Sequence, residues 1–178
     1  MAIFELGEQR PSIGEGTFVA PDATVIGDVT LGRGCFIGPG ARIRGDYGTI
    51  VIGDGTAVED NVVVHARPGE RCEIGRNVTL GHACIVHNAT LHDWAVIGMG
   101  AVVSDYAVVG EWGVVGEGAV VKNRQEIPAR AIAVGVPARV VSTVSDGYIE
   151  QWSRFKGIYV DLARERYPRG LRRIEGAE

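Results

Sequence analysis

Aromatic side chains are scarce in this sequence. They make up 7% of its 178 residues, whereas glycine alone occurs 26 times. So many glycines and so few large side chains favour tight turns around a core of small and branched residues over a helical bundle. The length suits one continuous core rather than two.

Long apolar runs, an excess of positive charge and a disulfide framework are also missing. No stretch approaches the ~18 apolar residues that cross a membrane, and no signal segment is recognisable at the start, so we expect no membrane partner. The net charge of −4 provides no general field for nucleic acid. The cysteines, Cys35, Cys72 and Cys84, are odd in number and widely spaced, which favours free thiols in a reducing cytoplasm.

Aliphatic residues recur every six positions, with brief interruptions. No α-helix has this period, and strand alternation alone does not explain the glycines that follow many of these guide residues. Short strands separated by turns explain both: three six-residue units close a triangular coil, and coils stack at about 4.8 Å with the guides inside. The sequence therefore predicts an all-β fold, a parallel β-helix over residues 1–144. The guides are Ile13, Val19, Val25, Leu31, Ile37, Ile43, Ile52, Val58, Val64, Ile74, Leu80, Val86, Leu91, Ile97, Val103, Val109, Val115 and Val121.

A helical pattern replaces the six-residue repeat after Val121 and a return segment. Ser145 suits an N-cap, and Pro168 is expected beyond the end of the helix. An apolar stripe runs through Tyr148, Trp152, Phe155, Tyr159 and Leu162. Because such a helix cannot bury its stripe alone, we expect residues 145–178 to pack along the outside of the β-helix.

Counting guides places three of the four histidines on two neighbouring sides of the coil. Arg44, His65 and His87 each follow a guide directly and form one column. His65 and His87 then lie one coil apart, about 4.8 Å at the backbone. That separation allows the roughly 3.3 Å between two nitrogens on a tetrahedral zinc ion. Asp60 and His82 each follow a guide by two residues and form a column on another side.

Since the two columns face different ways, one chain cannot readily bring His65, His82 and His87 together. A threefold assembly would place the side with Arg44, His65 and His87 against the side with Asp60 and His82 of the next subunit. We therefore expect a homotrimer with three-histidine metal sites at its interfaces. The fourth histidine, His92, falls outside these columns and is expected at the surface.

Several motifs resemble the γ-class carbonic anhydrase family, and the resemblance covers nearly the whole chain. It is nearest to the short relatives found with phenylacetate and carnitine metabolism. It implies a left-handed β-helix and a homotrimer that binds zinc, with iron or cobalt as other options, through His65 and His87 of one subunit and His82 of its neighbour. The motifs are Ile43-Arg-Gly-Asp46, Val58-Glu-Asp-Asn61, His65-x16-His82-x4-His87, Val96-Ile-Gly-Met-Gly-Ala101 and Pro137-Ala-Arg139.

The resemblance also implies an enzyme, a carbonic anhydrase that reversibly hydrates CO2 to bicarbonate with metal-bound hydroxide. The zinc-bound water in carbonic anhydrases themselves has a pKa near 7. The insertion after His65, residues 66–73, is short and lacks an acid-rich loop for proton export, which predicts slow turnover. The catalytic residues implied are Arg44, Asp46, Glu59, Asp60 and Tyr159, although Glu59 stands where the family usually has glutamine.

Three other functions fit the same sequence features. Metal-bound hydroxide could hydrolyse an acyl-CoA thioester. A hexapeptide-repeat acyltransferase would use one histidine as a base and need no metal. A trimer of this kind could also be a non-catalytic scaffold. The three histidines in metal register argue against the metal-free acyltransferase, while the scaffold stays an open alternative.

Overall fold

The computed structural model describes residues 2–174, which form a three-sided coil of short strands followed by a helical segment. Each six-residue unit gives one short strand, and turns between the strands form the corners. The strands are β1 (Ala2–Phe4), β2 (Ser12–Ile13), β3 (Phe18–Val19), β4 (Thr24–Leu31), β5 (Phe36–Ile37), β6 (Arg42–Ile52), β7 (Ala57–Val58), β8 (Val63–His65), β9 (Arg71–Ile74), β10 (Thr79–Leu80), β11 (Ile85–His87), β12 (Thr90–Leu91), β13 (Val96–Ile97), β14 (Val102–Val103), β15 (Val108–Val109), β16 (Val114–Val115), β17 (Val120–Val121), β18 (Glu126–Ile127), β19 (Ala131–Val134) and β20 (Arg139–Thr143).

The three sides of the coil are parallel ladders. The first side stacks β1, β4, β6, β8, β11, β14 and β17. The second stacks β2, β4, β6, β9, β12, β15 and β18, because β4 and β6 each run around a corner and belong to two sides. The third stacks β3, β5, β7, β10, β13, β16 and β19. This is the expected left-handed parallel β-helix of hexapeptide repeats.

The core of the coil consists of the predicted guide residues. All of them from Val19 to Val121 are at most 8% exposed, and Ile13 is partly buried. Burying one such side chain contributes about 1.5–3 kcal/mol, so the six-residue period is what selects this fold. The buried thiols of Cys35, Cys72 and Cys84 are free and fill space in the same core.

The coil continues beyond Val121, where the sequence placed the end of its regular part. The strands β18 and β19 extend the second and third ladders by parallel pairing. The strand β20 then pairs antiparallel with β19 and ends the stack.

The helical segment begins with α1 (Asp146–Asp161), and the Ser145 side chain caps it by accepting a hydrogen bond from the Tyr148 backbone N–H. A π-helical turn (Leu162–Arg166) and α2 (Tyr167–Gly170) follow directly. The expectation that Pro168 lies beyond the helix was therefore wrong. Pro168 lies near the start of α2, directly after the π-helical turn. None of the described helices is long and apolar enough to cross a membrane.

The helical segment is held against the coil by aromatic contacts and by a buried lysine. The Tyr167 ring packs on Phe18 and Phe36, and Tyr159 also contacts Phe36. The Lys156 ammonium donates a 2.6 Å hydrogen bond to the Val78 carbonyl. Residues 175–178 lie outside the described residues, and the division of the chain into units at residue 145 stays a prediction.

Candidate metal centre

The predicted histidine column is present on the first side of the coil. Arg44 pairs in register with His65, and His65 pairs with His87 one coil above. The Nδ1 atom of His65 lies 3.0 Å from the Nε2 atom of His87. Both side chains are partly exposed, so the space beside their nitrogens opens to the surface.

A carboxylate binds the other ring nitrogen of each histidine. The Nε2 atom of His65 is 2.9 Å from Oδ1 of Asp46, and the Nδ1 atom of His87 is 2.5 Å from Oδ1 of Asp105. An ionised carboxylate accepts hydrogen bonds and cannot donate them. Each imidazole therefore directs its N–H at its aspartate.

An arginine in turn contacts each of these carboxylates. Arg44 donates to Asp46, and Nη1 of Arg67 lies 2.9 Å from Oδ2 of Asp105. Partial burial raises the pKa of Asp46, but hydrogen bonds from His65 and Arg44 outweigh this effect and hold the pKa below its usual value. Partial burial also raises the pKa of Asp105, but hydrogen bonds from His87 and Arg67 outweigh it and hold this pKa below its usual value. Both carboxylates are ionised at neutral pH.

This arrangement makes two nitrogen lone pairs converge. A neutral imidazole carries one N–H, and here the aspartates use it on both rings. The remaining lone pairs, on Nδ1 of His65 and Nε2 of His87, face each other across 3.0 Å. A cation between them removes their repulsion, and the separation is close to the roughly 3.3 Å found between two nitrogens on zinc. The donor set therefore fits zinc, and imidazole also suits iron and related metals.

His82 lies on a different part of the coil, at the turn after β10. Its Nε2 atom is 3.1 Å from Oε2 of the buried Glu59, and its Nδ1 atom faces the Asp60 backbone N–H at 3.3 Å. The His82 side chain is 48% exposed. Within residues 2–174 of one chain, no three histidine, cysteine or acidic side chains come together to hold a metal. A site that uses all three histidines needs a second subunit.

A pocket of about 190 Å³ adjoins Glu59, between α1 and the third side of the coil. Burial, followed by the hydrogen bond to Glu59, raises the pKa of Tyr159. The structure thus brings together Glu59 and Tyr159, which the sequence predicted separately, and connects His82 to the pocket through Glu59. The pocket is lined by Glu59, Thr79, Trp152, Phe155, Lys156 and Tyr159.

Sequence reasoning missed three residues of this region. Asp105 stands two residues after Val103, which stacks on Val86, so the same counting that found His87 could have found it. Lys156 lies on the helical stripe, four residues after Trp152, but a charged residue was not expected on an apolar stripe. Arg67 follows in the insertion after His65, where the repeat count is interrupted and gives no signal.

Comparisons with known proteins agree with the β-helical fold. The family model "Bacterial transferase hexapeptide (six repeats)" matches residues 10–45. A carbonic anhydrase of Geobacillus kaustophilus is 34% identical over 159 residues, which cover 89% of this chain and 87% of that protein. The chain belongs to the γ-class carbonic anhydrase family. Gamma carbonic anhydrase 2, mitochondrial, of Arabidopsis thaliana is 36% identical over 163 residues, and this γ-class chain spans 59% of its length.

Other relatives of this γ-class chain carry different names. The carnitine operon protein CaiE of Escherichia coli is 36% identical over 144 residues, which cover 81% of the chain and 73% of that protein. The solved structure of a hexapeptide transferase family protein from Anaplasma phagocytophilum is 32% identical, with a TM-score of 0.87 and coverage of 92% and 96%. The family resemblance predicted from the motifs is confirmed, including its carnitine-operon branch.

Proposed function

We propose that this chain is a zinc-type γ-carbonic anhydrase that reversibly hydrates CO2 to bicarbonate as a homotrimer. One observation carries the proposal: each of the three histidines offers one ring N–H to a carboxylate. The pairs are His65 with Asp46, His87 with Asp105 and His82 with Glu59. Metal-ligating histidines nearly always have such a partner, which fixes the tautomer and the orientation of the ring. The other nitrogens of His65 and His87 are left for a metal, whereas Nδ1 of His82 faces the Asp60 N–H and would have to leave that contact to bind one. Within residues 2–174, His92 pairs with no carboxylate.

In this proposal His65 and His87 of one subunit and His82 of its neighbour hold the metal. Zinc on three histidines lowers the pKa of its water to about 7, a value established with carbonic anhydrase itself, and so supplies hydroxide at neutral pH. Each carboxylate accepts one N–H from its imidazole and so fixes the orientation of the ring. Iron or cobalt would suit the same nitrogens.

The other catalytic residues surround these ligands. Arg44 and Asp46 orient His65 from one flank. Glu59 orients His82, and with Tyr159 it presents polar groups at one edge of an otherwise largely apolar pocket. These groups can orient a water molecule or bicarbonate, while the aromatic walls accept apolar CO2. The short insertion after His65, residues 66–73, provides no acid-rich loop for proton export, so slow hydration is expected.

An apolar strip beside the histidines supports the trimer. Val63 and Ile85 precede the histidine column on β8 and β11, pair with each other and are 38% and 40% exposed. On the same side, β1 exposes Phe4. Apolar residues grouped next to a half-formed ligand set are typical of an interface. A second subunit would cover these side chains and so remove their apolar surface from water.

We expect Asp60→Ala to weaken the trimer. In the proposed assembly Asp60 faces Arg44 of the next subunit, so its removal takes away an attraction across the interface, although Arg44 keeps its contact with Asp46. Sedimentation equilibrium should show subunit affinity reduced at least about tenfold. Asp54→Ala is the matched control, because Asp54 pairs with Arg33 at a corner remote from both columns. Equal assembly of the two variants would contradict the interface.

The decisive test of function is metal-dependent CO2 hydration. Purified trimer should contain about one metal ion per subunit, and stopped-flow assays should show hydration that chelation removes and zinc restores. A fully metallated trimer without hydration would contradict the proposal. The same preparation should be assayed for acyl-CoA hydrolysis and acyl transfer, and inactivity in every assay would point to a scaffold.

Thioester hydrolysis is the second candidate, and the pocket favours it. The walls formed by Trp152 and Phe155 enclose more volume than CO2 occupies and would accept an apolar acyl group. The carnitine-operon relative fits this alternative.

The three free buried thiols support the reducing cytoplasm that the sequence led us to expect as the location of the protein.

A further inference from the structure

We propose that Asp105, held by Arg67, is the positioning residue of His87: it keeps the imidazole proton on Nδ1 and directs the Nε2 lone pair toward the metal position. The inference rests on the proposed metal site, but it assigns a role to two residues that the ligand motif does not contain.

The position of Asp105 is fixed on both of its carboxylate oxygens. Oδ1 lies 2.5 Å from Nδ1 of His87, and Oδ2 lies 2.9 Å from Nη1 of Arg67. The side chain is only 14% exposed. Its turn is anchored below, since the Tyr106 N–H donates to the carbonyl of the buried Asn88. The carboxylate therefore has little freedom to leave His87.

Asp105 and Arg67 repeat the arrangement on the other flank of the histidine pair. There, Arg44 contacts Asp46, which contacts His65. Each flank is thus an arginine, an aspartate and an imidazole in line, and the two imidazoles meet at Nδ1 of His65 and Nε2 of His87. Because both imidazole N–H groups are directed at aspartates, Nδ1 of His65 and Nε2 of His87 each carry a lone pair and no proton lies between them.

Without Asp105 a competing hydrogen bond becomes available. His87 could move its proton to Nε2 and donate it to Nδ1 of His65 across the existing 3.0 Å. That bond would satisfy both rings and occupy the space in which a metal binds. Asp105 prevents it, because a proton on Nε2 would leave a carboxylate facing the bare lone pair of Nδ1.

The test compares Asp105→Asn with wild type in two measurements on the intact trimer. Zinc affinity, measured by competition with a chelator, should fall about 10–100-fold in the variant. Histidine-selective ¹⁵N NMR of the metal-free protein should show the His87 proton on Nδ1 in wild type and on Nε2 in the variant. Asp93→Asn is the matched control, because Asp93 is also a corner aspartate bound by an arginine, Arg76, and touches none of the three ligand histidines.

The outcomes separate this inference from the proposed function. Unchanged zinc affinity and an unchanged tautomer in Asp105→Asn would overturn it. If wild type binds zinc but hydrates no CO2, the proposed function fails while the affinity comparison still decides the role of Asp105. If wild type binds no zinc, the tautomer comparison decides it. Arg67→Gln removes the contact that holds Asp105 and leaves the His87 side chain unchanged, so it should lower zinc affinity by a few-fold. This variant replaces Asp105→Asn in the test if Asp105→Asn does not assemble.

Discussion

His82→Ala should remove most of the bound metal and reduce CO2 hydration by at least about a thousandfold, because two imidazoles cannot hold a catalytic zinc ion that normally has three protein ligands. The coil should remain folded, since the His82 side chain projects from a turn and is half exposed, while the guide Leu80 beneath it stays buried. Metal content and hydration rate, measured on the same preparation, check both parts. His92→Ala is the matched control, because His92 is also an exposed turn histidine.

Mixed trimers test whether the ligands come from different subunits. A His82→Ala subunit keeps His65 and His87, and a His87→Ala subunit keeps His82. All three ligands are intact at an interface where the His82→Ala subunit supplies His65 and His87 and the His87→Ala subunit supplies His82. In trimers assembled at random from equal amounts of the two variants, about one quarter of the interfaces are of this kind and should bind metal. Either variant alone should bind little. If one chain supplied all three ligands, mixing would restore nothing.

The sequence predicts the backbone of this site because the repeat fixes register. Once the guides are aligned, the stacking of Arg44, His65 and His87 follows by counting, and the observed pairing agrees. Register does not specify side-chain rotamers, so the aspartate contacts that determine the tautomers were not predicted in full. Asp46 was named from the family motif, whereas Asp105 lies outside it.

The segments that depart from the repeat were the hardest to predict. Arg67 lies in the insertion after β8, where counting from the guides fails. The helix was expected to end before Pro168, but a π-helical turn and α2 carry it past that residue. Tertiary packing explains this difference, because the Tyr167 ring is held between Phe18 and Phe36 and fixes the backbone there. Local helix signals contain no information on such contacts.

Lys156→Met should stabilise the protein, most strongly near neutral pH. The Lys156 side chain is 3% exposed, and burial lowers its pKa to about 7, although the negative charge of Glu59 partly opposes this shift. Methionine fills a similar volume without a charge to bury. Its cost is small, because the Val78 carbonyl keeps the hydrogen bond from the Ala57 N–H when the lysine is removed.

The pH dependence of this gain has a definite sign. Between about pH 7 and the ordinary lysine pKa of 10.5, the unfolded chain binds a proton at Lys156 that the folded chain does not. The unfolding free energy of wild type therefore rises with pH in this window, by up to about 1.4 kcal/mol per pH unit, and is independent of this group below it. The advantage of Lys156→Met should accordingly be largest at pH 7 and shrink toward pH 10.

Denaturant unfolding at several pH values measures this advantage. The protein concentration must be kept fixed, because subunit assembly makes stability depend on concentration. Lys122→Met, at an exposed site, should show no such trend. A difference between Lys156→Met and wild type that stayed constant across this window would show that the lysine is protonated in the folded protein and that the attraction of the Glu59 charge outweighs its burial.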